Sequence, residues 1–183
     1  MTTTVLRIRK LDAAAGQLDT AIKLYFQVGD PVAVHTLTCA AFNVLRDINA
    51  YNGFEPTYIK DKFLNCYNEE QRKEIRNVIY KPENFFKHAN KDPEGIIQFT
   101  PMFTELLLME ACALYQRIAG NVSNEMIVFR MYGVLILKHP YELSQEIEEL
   151  VKEVARSLAG TSRREFFAAG MEDIKHFRAR KGN

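Results

Sequence analysis

Residues 11–45 read LDAAAGQLDTAIKLYFQVGDPVAVHTLTCAAFNVL, and this stretch decides the fold class. Leu11, Ala14, Leu18, Ile22 and Tyr25 recur every three or four residues, the spacing that aligns one stripe of an α-helix. A helix is therefore predicted over residues 9–28, ended by Gly29. Asp30-Pro31 follows, offering a carboxylate to the first free N–H groups of a new helix and a proline where a missing N–H costs nothing. In that second helix Val34, Leu37, Ala41, Val44, Ile48 and Tyr51 form the expected seam, and Asn52-Gly53 closes it. Two long helices joined by so short a turn run antiparallel, so the expected architecture is all-α: a multi-helix bundle built on an N-terminal antiparallel hairpin.

Beyond the hairpin, a short helix is predicted from Thr57, and Asn68 with Gln71 reads as a capping box for a helix reaching about Tyr80. Pro82 is expected to restart the chain, with one or two helical turns over residues 83–89 and a loop at Asn90-Lys91-Asp92-Pro93-Glu94-Gly95. Thr100-Pro101 opens a helix to about Ala119 that is apolar nearly all round, which places it at the centre of the bundle. Residues 126–137 carry enough β-branched side chains for a strand, but no partner strand is visible, so a helix is expected. His139-Pro140 breaks the chain before a helix over residues 141–158, and Ser162 with Glu165 caps the last one.

The chain has 183 residues, the size of a single domain spanning 1–183, and needs no metal or disulfide to hold a core of that size. Lys and Arg number 24 against 23 Asp and Glu, so no global charge draws it to nucleic acid or membrane and any attraction must be local. Basic residues gather at 7–10, 60–91 and 175–181, and acidic ones at 142–153. Cys39, Cys66 and Cys112 are odd in number and widely spaced, which argues for a reducing compartment and against a disulfide framework or zinc site. With no leader pattern at the N-terminus and no long apolar run, a cytoplasmic protein without membrane contact is expected.

Three groups of residues could carry chemistry. His88, with Asn84 and Lys87 beside it, lies between loop signals, and imidazoles ordinarily titrate near enough to neutrality to act as general acid or base. On the second helix His35, Cys39, Phe42 and Arg46 fall at intervals of four, three and four, a stripe suited to a ligand pocket or to a buried polar strip satisfied by its neighbours. Arg130 stands in an apolar helix, where a guanidinium needs a carboxylate or an anionic ligand; Glu105 or Glu110 is the expected internal partner. No metal is expected, since no helix carries Glu-x-x-His. Phosphate loops, dinucleotide fingerprints and nucleophile elbows are missing from the sequence, so no cofactor is expected either.

Through residues 11–22, then Gly29-Asp30-Pro31-Val32-Ala33-Val34-His35-Thr36-Leu37 and Ala40-Ala41-Phe42-Asn43-Val44-Leu45, the chain resembles the opening hairpin of HEPN-type bundles over residues 9–52. The resemblance implies a helical bundle that dimerises. Many HEPN domains are ribonucleases that use an arginine followed four to six residues later by a histidine, a pair this sequence lacks; Asn84 stands four residues before His88, and Arg76 lies farther upstream. The leading expectation is a non-enzymatic binding or regulatory module, homodimeric through an apolar helix face. The alternatives are a HEPN-type protein that cleaves RNA or binds nucleotides through His88, and a binder of anionic small molecules at His35, Cys39, Arg46 and Arg130.

Overall fold

A computed structural model describes residues 5–90, 92–137, 152 and 154–181. Within them the chain forms α1 (Lys10–Phe26), α2 (Pro31–Tyr51), a π-helical turn (Tyr58–Lys62), a 3-10 turn (Phe63–Cys66), α3 (Glu69–Phe85), α4 (Met102–Ala119), α5 (Asn124–Leu135) and α6 (Arg163–Lys181). There is no strand among the described residues. Residues 126–137, ambiguous in sequence, are helical for the most part, with Ser123 Oγ accepting from the Met126 N–H at 3.1 Å to start α5. The helix expected over 141–158, and the acidic run at 142–153, lie largely outside the described residues.

The hairpin forms as read. Asp30 caps α2 by accepting from the Ala33 N–H at 2.8 Å, with Pro31 in the first turn. The stop of α1 differs in detail. Gly29 donates to the Leu24 carbonyl at 2.8 Å and Val28 to Tyr25 at 3.3 Å, so the residue in the left-handed conformation is Val28, at φ 56°, rather than the glycine. A side chain on Gly29 would stand 3.0 Å from the Leu24 carbonyl oxygen, which is why glycine occupies that position and valine takes the strained one.

The centre of the bundle is α4, as its composition suggested: α1, α2, α5 and the π-turn all pack on it. Its left-handed stop is Gly120 at φ 73°. At one end Phe26 is wholly buried among Tyr25, Phe129, Tyr132, Phe166 and Phe167, the last stacked at 4.8 Å between centroids. This aromatic cluster ties α1 to α5 and to α6, which begins at the capping box of Ser162 and Glu165.

Two expectations are corrected. The helix α3 does not stop near Tyr80 but runs through Pro82 to Phe85. Pro82 deletes one backbone donor, yet its own carbonyl still accepts from the Phe86 N–H at 3.0 Å, and the next residue, Glu83, is pinned from the interior. The second correction concerns the buried side of α2. Tyr51 of the predicted seam is 91% exposed, whereas His35, Thr38, Cys39, Phe42 and Asn49 are wholly buried. Sandwiched between α1 and α4, α2 buries two flanks, and the second is the polar stripe.

Candidate functional site

The second flank of α2 meets the π-turn and α3. A π-turn is rare and takes an external anchor. Here Glu110 on α4 accepts from the backbone N–H groups of Tyr58 and Ile59, the latter at 3.0 Å, while Asp61 accepts from the Thr57 N–H at 3.0 Å and from Arg46 Nε at 3.0 Å. The wider turn aims Lys60 inward. Its side chain is 1% exposed, and its ammonium lies 2.8 Å from Glu83 Oε2, 2.9 Å from Asn43 Oδ1, and over the rings of Phe42 and Tyr80 at 5.3 and 4.8 Å. Glu83 also accepts from Asn43 Nδ2 at 2.5 Å and from Lys87 at 2.9 Å. Burial alone would raise the Glu83 carboxyl, but the bonds from Lys60 and then Lys87 outweigh it and hold the group at about 2.

The α2 stripe is therefore a satisfied interior strip. His35 Nδ1 lies 2.9 Å from Thr104 Oγ1 and Nε2 lies 3.4 Å from Cys39 Sγ, with Phe99 and Phe86 edge-on to the ring. Burial lowers the imidazole to about 4, keeping it neutral, and pushes the Cys39 thiol up to about 12, far from a reactive thiolate. Arg46 is engaged by Asp61. Arg130 does not join this group. It sits on α5 and donates to Gln116, and neither expected glutamate pairs with it: Glu105 accepts from the Tyr25 hydroxyl at 2.7 Å and faces Arg163 at 3.3 Å, and Glu110 caps the π-turn. The guanidinium is half-exposed, so the premise that it needs a buried counter-charge falls.

On the outer side of the same polar layer, Arg76, Tyr80, Asn84 and His88 follow one another at four-residue intervals and line an open cleft of about 690 Å³. Asn77, Lys81, Phe85, Asn90 and Asp92 complete its walls. His88 thus shares a cleft with Arg76, as the RNA-directed expectation requires, and Asn84 belongs to it. Lys87 does not line it and turns to Glu83. The side chains of Arg76, Lys81 and His88 make no hydrogen bond or ion pair among the described residues, and all three residues are exposed. Carrying the helical rise of about 1.5 Å per residue from Arg76 past the end of α3 at Phe85 to His88 sets the ends of the stripe about 18 Å apart. Arg76 and His88 therefore stand at the two ends of the stripe rather than side by side. Tyr80 is the hinge between layers, one ring touching both the cleft and the buried Lys60.

A second cleft of about 670 Å³ adjoins the first through Asn77 and Lys81; it is lined chiefly by apolar residues of the 96–103 segment, with His35 at its floor. No group of three or more His, Cys, Asp or Glu suited to a metal occurs among the described residues. No helix among them is long and apolar enough to cross a membrane. Comparison with family models, with curated proteins and with solved structures returns no match.

Sequence reasoning missed Lys60 and Glu83 as partners and Tyr80 and Lys81 as cleft residues. Glu83 and Lys87 stand at the i, i+4 spacing of a helical ion pair, a visible signal that the expected break at Pro82 hid. For Lys60 there was none, because a π-turn shifts side-chain direction away from helical periodicity.

Proposed function

We propose that the protein is a non-enzymatic binding module for single-stranded RNA, which it holds along the outward face of α3. The observation that carries this reading is the stripe Arg76, Tyr80, Asn84 and His88 in one open cleft, with Lys81 beside it. Single strands are held by cations that track phosphates, by aromatic rings on which bases stack, and by side-chain donors and acceptors that reach 2′-hydroxyls. Arg76 and Lys81 supply the first, Tyr80 and Phe85 the second, and His88, Asn77, Asn84 and Asn90 the third. An extended ligand matches a site whose donors are spread over roughly 18 Å. That same spread favours binding over cleavage, since a histidine needs a cation at the same phosphate to assist departure.

The test compares the parent with His88→Ala on a labelled single-stranded oligoribonucleotide, with both proteins equally folded by circular dichroism. Binding by the parent, weakened several-fold in the variant and without strand scission, is the expected result. Scission lost in His88→Ala would replace this reading by the ribonuclease one. Failure of the parent to bind at low salt would remove both.

A further inference from the structure

Two stretches lie outside the helices and make no main-chain pairing among the described residues over most of their length. Residues 96–100 run as Ile-Ile-Gln-Phe-Thr between the Asp92–Gly95 turn and α4, and their exposure alternates: Ile97 and Phe99 are half-buried, while Ile96, Gln98 and Thr100 face solvent, Ile96 at 94%. This is strand geometry, one side down and the other up. Phe99 anchors it with its ring 5.0 Å from His35 and 5.2 Å from Phe86. No main-chain hydrogen bond among the described residues engages Ile96, Ile97, Gln98 or Phe99. The second stretch is residues 5–9, Val-Leu-Arg-Ile-Arg, which has no helix or turn and ends on Arg9 in extended conformation at φ -78° and ψ 153°, with Leu6 and Ile8 exposed at 71 and 62% and no main-chain bond before the Arg9 carbonyl meets Ala13. Both sequences are rich in residues that favour strands, and open strand edges of this kind recruit another chain.

The two stretches cannot meet within one copy. The start of α4 lies against the end of α1, Tyr25 bonding Glu105 at 2.7 Å, whereas residues 5–9 precede the other end of that 17-residue helix, about 25 Å away. We infer that residues 5–9 of one copy pair antiparallel with residues 96–100 of a second copy, the junction occurring twice in a two-fold homodimer. Each segment has five residues, so the lengths match. In antiparallel register Leu6 falls opposite Phe99 and Ile8 opposite Ile97, joining apolar faces, with Arg7 opposite Gln98 on the outer face. The same register brings the basic end at Arg9 and Lys10 to the acidic end at Glu94 and Asp92; a parallel register would separate them. The apolar cleft beside the strand, walled by Val78, Ile97, Phe99 and Phe103, receives Leu6 and Ile8. Two-fold closure engages both segments of both copies, which completes the exchange at a dimer. This interface differs from the apolar helix face expected from sequence, and it is independent of the RNA reading.

Light scattering on the full-length chain across a micromolar dilution series tests it, with Gln98→Pro and Ile8→Pro as breaking variants. Ile8 and Gln98 belong to neighbouring pairs of the ladder, so in either hydrogen-bonding phase one of the two prolines deletes a ladder donor; both positions lie outside any helix, so circular dichroism should stay unchanged. The expected result is a dimeric parent, a monomer from at least one of the two proline variants, a dimer weakened at least tenfold by Lys10→Glu or Glu94→Lys alone, and recovery when both are combined. A parent that is monomeric throughout, a dimer indifferent to both prolines, or charge variants that fail to restore each other would overturn the inference.

Discussion

The two flanks of α2 are buried by different means. Towards α1 and the aromatic cluster the contacts are hydrocarbon on hydrocarbon, with Leu18, Ile22, Phe26, Ala41 and Leu45 wholly buried. Towards the start of α4, the π-turn and α3 the contacts are polar pairs: His35 with Thr104, Asn43 and Lys60 with Glu83, Arg46 with Asp61. The first flank supplies non-directional stabilisation that tolerates many sequences. The second fixes geometry, because each member has a partner at a set distance and α3 is held where its outward face forms the cleft. One flank gives the molecule its fold and the other sets the cleft on α3.

Cutting each flank separates these roles. Phe26→Ala should cost the most, about 4 kcal/mol, since a wholly buried ring leaves a void among five other rings. Chemical denaturation gives the number, and RNA binding below the transition should be unchanged. Glu83→Ala should cost about 3 kcal/mol, because Lys60 is then buried without its counter-ion. The double variant Lys60→Met with Glu83→Leu should recover most of that stability while weakening RNA binding, since nothing then fixes Tyr80 against the interior. A double variant as unstable as Glu83→Ala would mean the polar flank stabilises in its own right, and the comparison would fail.

How much of this was legible in the sequence follows the same division. Apolar periodicity reports hydrocarbon burial, so Leu18 and Ile22 announced α1, Asp30-Pro31 announced the turn, and the apolar α4 announced its central place. The polar flank draws on residues from α2, the π-turn, α3 and α4, and distances between them are fixed only after the chain has folded. Lys60 on its own reads as one more surface lysine. The cleft was half legible: His88 and Asn84 stood out, but the break expected at Pro82 severed them from Tyr80 and Arg76, whereas one continuous helix carries Arg76, Tyr80 and Asn84 on one face with His88 just past its end. Arg130 drew attention because its helix is apolar, although its own side chain reaches the surface and Gln116.

Acid sharpens the contrast by a smaller margin. His35 binds its proton at about 4 when folded, against an ordinary 6.5, so between those values the unfolded chain takes up more protons. Its contribution is complete above pH 6.5 and falls as pH drops towards 4, by up to about 3 kcal/mol. Burial dominates, with Glu83, Lys60 and Lys87 acting in smaller and partly cancelling ways. Melting temperatures should therefore decline over that window in the parent and decline less in His35→Gln. Glu83 acts lower, its contribution being lost as pH falls from about 4.5 through about 2. The smallest effect expected is a gain. Val28 is exposed and holds φ 56°, so Val28→Gly should stabilise by about 1 kcal/mol, visible as a modest rise in melting temperature.

The claim on which the functional account rests is that α3 presents an RNA-binding face. Fluorescence anisotropy with a labelled single-stranded oligoribonucleotide, titrated at several salt concentrations, tests it most directly in the parent and in Arg76→Ala with Lys81→Ala. Affinity should fall steeply with salt in the parent, and the double variant should bind more weakly with a salt slope shallower by about 1 to 2 ion equivalents, its fold unchanged. Equal affinity and equal slope in the two proteins would contradict the account.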